Sequence, residues 1–189
     1  PVNGDFENGF GDDPDTVAET VKLAAEAGQA GLTIEDIAAP TTDAYPFDLA
    51  LARIEAAVAA AGSVGIVLTA RADGWVLKSY DQEEALRRCQ AYAEAGADVI
   101  YTPLADVETT RALVATGTPV NLLAAGGMRD LTWHQMGALG AARISVRAVL
   151  ARVTQQVIMD GTRAMLANGD FSLLNGSASA AEVDELLKG

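Results

Sequence analysis

A chain of 189 residues is long enough for one sizeable hydrophobic core and short for two. Half of it is hydrophobic, which argues against disorder, and a formal charge of −13 with 13 scattered Lys and Arg argues against a nucleic-acid or anionic-membrane partner. The single cysteine, Cys89, excludes an internal disulfide framework and fits a cytoplasmic compartment, and no run approaches the roughly 20 apolar residues of a membrane span.

The chain opens on Pro1-Val2-Asn3-Gly4-Asp5 without an initiator Met, as though inside a strand. We read Val2–Phe6 as the first strand and expect sequence upstream of it. Asp13-Pro14 then starts a helix, with a capping carboxylate and a proline in the first turn, and Val17, Val21 and Ala24 share one face of it. Gly28 ends that helix before the strand GLTIED. A second helix carries Leu51, Ile54 and Val58, and Gly62 is expected to end it before GIVLTAR.

The third helix opens at Asp81 with Glu84 three residues on, a pattern like a capping box, and its stripe is Leu86, Cys89 and Ala93. Gly96 leads into DVIYTP, Gly117 into PVNLLA and Gly140 into ARISV. Shorter helices are expected after Asp106 and Asp130, a long one from about Ala148 toward Ala167, and a last one over Ala180–Leu187. A glycine just past a helix tolerates the left-handed conformation that stops it. Five such junctions give an alternating βα array and therefore a parallel sheet.

Six units in this length fit a (β/α)8 TIM barrel that lacks about its first two βα units, as one domain over 1–189 with a C-terminal helix within 178–189. A doubly wound sheet is the rival, but no Gly-rich phosphate fingerprint follows any strand.

In such an array the loops after the strands build the active site. Asp5 and Glu7, two apart, are expected to point the same way from one strand. Glu35 and Asp36 end the second strand, Arg71 and Asp73 the third; Thr102 ends the fourth, Asn121 lies in the fifth and Arg147 follows the sixth. Any one acid here serves equally well as a helix cap. Several converging on one mouth would repel unless a cation neutralised them, and oxygen-only ligands favour a hard ion such as Mg²⁺. Arg71 beside them suits an anionic substrate. His134, in a helical segment, reads as a surface residue, and Cys89 as core packing. Gly126-Gly127 reads as a turn, with an anion-binding loop as the alternative.

The stretch PVNGDFENGFGDDPDTVAETVKLAAEAGQAGLTIED resembles the corresponding part of the isocitrate lyase/phosphoenolpyruvate mutase superfamily, and the resemblance continues through VLTARADG, AYAEAGADVIYTP, TPVNLLAAGG and ARISVRAVLARV. It is most similar to the phosphoenolpyruvate mutase-like branch, often labelled carboxyvinyl-carboxyphosphonate phosphorylmutase. The resemblance implies an eight-stranded barrel in which Mg²⁺ chelates a 2-oxo acid or its enolate. It makes Asp5 the direct metal ligand, Glu7 and Glu35 ligands through water, and Arg71 the holder of the substrate carboxylate. It also implies a homo-oligomer, because the long C-terminal helix resembles one that relatives exchange between subunits.

Two positions depart from the family pattern. Residue 7 is Glu where Asp is usual. The loop Ile37–Tyr45 has no Lys, Arg, Cys, His or Asn, where lyases carry an acid-bearing gate. The site expected from both readings has catalytic Arg71 and Glu35, substrate-binding Arg71 and Asn121, and metal-binding Asp5, Glu7 and Glu35. A Mg²⁺-dependent carbon–carbon lyase or decarboxylase on a small 2-oxo acid is the expected function. A phosphonate P–C enzyme and a non-catalytic barrel that binds a keto acid are the alternatives.

Overall fold

A computed structural model describes residues 1–188. Six strands, β1 (Asn3–Asp5), β2 (Gly31–Glu35), β3 (Val67–Arg71), β4 (Val99–Tyr101), β5 (Val120–Leu123) and β6 (Ala141–Ser145), pair in parallel and in sequence order. Five helices alternate with them: α1 (Pro14–Glu26), α2 (Phe47–Val64), α3 (Gln82–Glu94), α4 (Val107–Val114) and α5 (Trp133–Ala138). Each crossover returns to the adjacent strand, as in a barrel wall; the strand order never reverses as it does in a doubly wound sheet. The sheet curls. Arg143 on β6 donates from Nη2 to Asn3 Oδ1 on β1 at 3.3 Å, so the outermost strands meet side chain to side chain across the hollow. Residues Pro1–Ser145 are thus a compact half-barrel of six parallel strands.

The helix boundaries follow local chemistry. Asp13, Asp81 and Asp106 each accept a hydrogen bond from the backbone N–H three residues on, with Pro14 in the first turn of α1. The capping box at Asp81 is only half made, because the Glu84 carboxylate turns to Arg87 and Arg88. The short helix expected after Asp130 starts from a full capping box at Thr132 and Gln135. One expectation is corrected. Gly62 lies inside α2, which runs one turn further and stops on Gly65 at φ 74°.

The core lies between the outer face of the sheet and the helices. Leu32 and Ile34, Leu68 and Ala70, Ile100, Val120 and Leu122 are buried against Val17, Val21 and Ala24 of α1, Ile54, Ala57 and Ala61 of α2, and Cys89 and Tyr92 of α3. On α3 the buried stripe is Ala85, Arg88, Cys89 and Tyr92; Leu86 and Ala93 of the expected stripe are only partly covered at its margin. Because strand side chains alternate, the residues between the buried apolar ones turn into the hollow. These are Asp5, Thr33, Glu35, Thr69 and Arg71, so the apolar strands present a polar inner face.

From Val146 onward the chain forms a second unit, with α6 (Val149–Asn168), a 3-10 segment (Ser172–Gly176) and α7 (Ala180–Leu187). Within it Leu173 packs so closely on Gly161 that a Cβ there would lie 2.4 Å from Cδ2. Ser179 and Glu182 form a capping box at the start of α7. Leu150, Ile158, Leu166, Leu186 and Leu187 are exposed. Among the described residues no helix is long and apolar enough to cross a membrane.

Candidate active site at the strand ends

Parallel pairing brings the ends of β1, β2 and β3 level: Asp5 is opposite Thr33, and Glu35 is opposite Arg71. Arg71 is the centre of the resulting cluster. Its Nε and Nη2 donate to the two oxygens of Asp73 at 2.9 and 3.0 Å. Its Nη1 lies 3.1 Å from Asp5 Oδ1 and 2.8 Å from Glu35 Oε1. The guanidinium also stands over the Tyr101 ring, with Cζ 5.1 Å from the centroid. Thr33 Oγ1 donates to the same Asp5 oxygen at 2.9 Å.

One cation thus faces three carboxylates in contact and a fourth nearby. The Arg71 side chain is 11% exposed and that of Asp73 9%, whereas Asp5 is 67% exposed at the mouth. Burial pulls the Arg71 guanidinium down, but Asp73, Glu35 and Asp5 more than offset this and hold it well above its ordinary value. Burial also pushes up the Asp73 carboxyl, with Arg71 opposing. Glu35 is pushed up to about 7, first by burial and then by Asp73, with Asp5 and Glu7 adding and Arg71 subtracting. Glu35 is therefore the carboxyl of the cluster that most readily takes up a proton near neutrality.

Glu7 reaches this cluster by a different route from the one expected. It lies beyond β1 with φ 49°, so strand alternation does not aim it, and its exposed side chain acts on Glu35 through charge. Its carbonyl accepts a hydrogen bond from the Glu35 N–H at 2.7 Å. Left-handed backbone at a non-glycine residue needs surrounding support. Arg53 of α2 gives it. Fully buried, Arg53 donates to the carbonyls of Gly11 (2.5 Å) and Asn8 and lies over the Tyr45 ring at 4.1 Å. The Tyr45 hydroxyl donates to Asp12 at 2.6 Å and accepts from Asn8 Nδ2 at 2.9 Å, closing the network.

The loop 37–45 is a small hairpin. Ile37 bridges Ala44, the Ala38 N–H donates to Asp43 O, and Ser79 Oγ donates to Thr42 O at 2.7 Å. It brings no titratable side chain other than Asp43 and Tyr45 to this side of the fold.

Asn121 is buried on β5; its Nδ2 donates to Ser145 Oγ at 3.0 Å, and Oδ1 has no hydrogen-bond partner. Thr102 is spent on Ala72 O, and Gly126–Met128 form a 3-10 turn. His134 stacks on exposed Trp133 with ring centroids 3.6 Å apart. Cys89 is fully buried, and burial pushes its thiol far up, so it is no nucleophile. A separate shallow groove, lined by Gln90, Glu94, Ala112 and Thr116, lies at the far ends of α3 and α4 and carries no comparable cluster. Asp73, named at the end of β3 but outside the expected site, is the principal partner of Arg71, whereas Asp36, also outside it, is buried on Arg88.

Among the described residues no three His, Cys, Asp or Glu side chains gather closely enough to cage a metal ion. Mg²⁺ asks for less, since it keeps several waters and commonly uses one or two carboxylates. The exposed Asp5 carboxylate, with Glu35 sharing its Arg71 partner and Glu7 near enough to act on Glu35 through charge, fits such a water-rich site.

A family model described as phosphoenolpyruvate phosphomutase matches residues 1–166. An oxaloacetate decarboxylase of Rhodopseudomonas palustris (strain BisB18) is 29% identical over 192 residues, covering 97% of this chain and 65% of that protein. A crystal structure of a putative lyase/mutase from Burkholderia cenocepacia J2315 superposes with a TM-score of 0.91 at 36% identity, covering all of this chain and 70% of that one. A phosphonopyruvate hydrolase solved with oxalate and Mg²⁺ superposes with a TM-score of 0.70 at 25% identity, again over the whole chain and 69% of that one. The chain spans about half to two thirds of the length of the curated relatives it matches over most of its own length.

Proposed function

We propose a reaction from one premise: this chain belongs to the phosphoenolpyruvate phosphomutase family. The proposed activity is cleavage of a carbon–carbon bond at the carbon next to the carbonyl of a small 2-oxo acid, most simply decarboxylation. The observation that carries it is the Arg71 cluster. Nη1 is the one guanidinium nitrogen not committed to Asp73, and it is turned toward the exposed carboxylate of Asp5 and toward Glu35. A substrate carboxylate is held there by exchanging with those acids, as a planar cation permits.

Asp5 would hold a Mg²⁺ ion, with Glu7 and Glu35 ordering its waters. Such an ion supplies a Lewis acid for charge developing on the 2-oxo oxygen. The protein's own side chains do the rest. Arg71 orients the substrate and offers fixed positive charge, Glu35 holds or releases a proton near neutrality, and Asn121 would donate from Nδ2 to a substrate oxygen in exchange for Ser145. For oxaloacetate the C3–C4 bond breaks, carbon dioxide leaves, and the electron pair stays on C3 until solvent protonates it to give pyruvate. Loop 37–45 offers no cysteine, histidine or lysine as acid, which favours this solvent-protonated outcome over cleavage of larger hydroxy-tricarboxylates.

The same loop supports a second reading, a barrel that binds a keto acid without turning it over; the phosphonopyruvate hydrolase likeness supports a third, P–C cleavage. We read the six-stranded arc as part of an eight-stranded barrel, and the exposed apolar residues of α6 as support for self-association in the cytoplasm. A panel assay decides: Mg²⁺-dependent release of pyruvate from oxaloacetate that Asp5→Ala abolishes supports the lyase. Thermal stabilisation by oxalate and Mg²⁺ without turnover supports the binding protein, and inorganic phosphate from phosphonopyruvate supports P–C chemistry.

A further inference from the structure

Glu35 and Asp36 are consecutive, so they leave the sheet on opposite sides. Glu35 faces the hollow. Asp36 goes behind, into the layer between β2 and α3, and is 1% exposed. There it accepts three hydrogen bonds: Oδ2 from the Tyr80 hydroxyl at 2.6 Å and from Arg88 Nη1 at 3.0 Å, and Oδ1 from the backbone N–H of Asp73 at 2.8 Å. The Tyr80 oxygen in turn accepts from the N–H of Gly74 at 2.9 Å. Two successive amides at the end of β3 are therefore held from the rear by two side chains.

A pair serving cohesion alone would be expected to meet fork to fork, using both carboxylate oxygens on Arg88. Here Arg88 takes one oxygen, braced by Glu84 at 2.9 Å on its Nε, and the other oxygen is spent on the loop that carries the Asp73 side chain. The packing is equally specific. A Cβ on Gly74 would fall 2.2 Å from the Tyr80 ring, so only glycine lets the ring approach and place its hydroxyl. Asp73, fixed in this way, grips Arg71 along the Nε–Nη2 edge and leaves Nη1 facing the mouth.

We propose that Asp36 and Tyr80 are positioning residues that set the direction of the Arg71 guanidinium by clamping the Asp73–Gly74 backbone from the helix side of the sheet. The consequence for substrate binding rests on Arg71 being the carboxylate-binding residue, as proposed above; the clamp itself does not.

The test reads Arg71 directly. In ¹⁵N-labelled protein the Arg71 Nε–H resonance is identified by its loss in Arg71→Lys. Tyr80→Phe keeps the ring, whose centroid is 4.6 Å from Arg88 Cζ, and removes only the hydroxyl. The Arg71 signal is expected to shift and to exchange with solvent about tenfold faster, with KM for the 2-oxo acid rising about tenfold and kcat changing less, since small displacements of a binding group are costly. Asp36→Asn should do the same more strongly. Should Asp36→Asn fail to fold, Tyr80→Phe decides. A lower melting temperature with the Arg71 resonance and KM unmoved would show a purely cohesive role and overturn the proposal. A displaced Arg71 resonance in protein that turns over nothing, wild type included, would uphold the clamp and count against the lyase.

Discussion

Asp73 and Arg71 are joined by two parallel hydrogen bonds, Nε to Oδ2 at 2.9 Å and Nη2 to Oδ1 at 3.0 Å, in a nearly dry setting. Removing Asp73 leaves two of the three Arg71 guanidinium nitrogens without an acceptor and only Nη1 paired, to Asp5 and Glu35. Asp73→Ala is expected to cost about 3–5 kcal/mol of stability and to abolish ordered substrate binding, as for other broken buried pairs. Urea unfolding with matched slopes measures it. An unchanged midpoint would mean that Asp5 and Glu35 suffice to hold Arg71.

Glu35 gives the pH dependence its sign. Its folded-state pKa of about 7 lies above the ordinary 4.5, so between these values the folded protein binds a proton that the unfolded chain releases. The stability that this proton contributes is complete below about pH 4.5 and is lost as pH rises through 7. Thermal melting of wild type and Glu35→Gln across pH 4.5 to 8 is expected to show a downward trend that is shallower in the variant, where only Asp73 remains pushed up by burial. A parallel pair of curves would remove Glu35 from the account.

Asp5 is the most exposed of the three carboxylates that contact Arg71 and the proposed direct ligand. Addition of Mg²⁺ with oxalate is expected to raise the melting temperature of the wild type and to leave Asp5→Ala unmoved, since only binding to the folded state stabilises it. Glu7→Ala, through water, should weaken the effect without removing it. Equal stabilisation of wild type and Asp5→Ala would place the metal elsewhere.

Arg53 supports the β1–α1 loop rather than the chemistry. Arg53→Met keeps much of the volume but leaves the Gly11 and Asn8 carbonyls unpaired in a buried setting. A loss of about 2–3 kcal/mol in denaturant unfolding is expected. Activity in the surviving folded fraction should fall as well, because Glu7 depends on that loop for its left-handed backbone.

Much of the architecture was legible because it rests on local signals. Aspartates before helices and glycines after them marked the units, and the apolar runs marked the strands. Gly62 misled because two glycines lie near the end of α2, and only the backbone angle at Gly65 tells which one stops it. The α3 stripe was misplaced for a related reason. Arg88 reads as a surface residue, yet it is buried because Asp36 and Glu84 accept its hydrogen bonds. At the site, Arg71, Asp5 and Glu35 could be named from their places at strand ends. Alternation separates Asp36 from Glu35, but the partners of Asp36 behind the sheet lie 37 and more residues away, and no periodicity encodes them.

The end of β2, with Glu35 turned to one side and Asp36 just beyond it to the other, divides two electrical regimes. Ions in solution reach the open mouth, where Asp5 stands in water, and at physiological ionic strength they damp its attraction for charged ligands beyond a distance of about 8 Å. Behind the sheet Asp36 and Arg88 are sealed from those ions. Salt should therefore weaken capture of a cation such as Mg²⁺ at Asp5 while leaving the framework that aims Arg71 untouched.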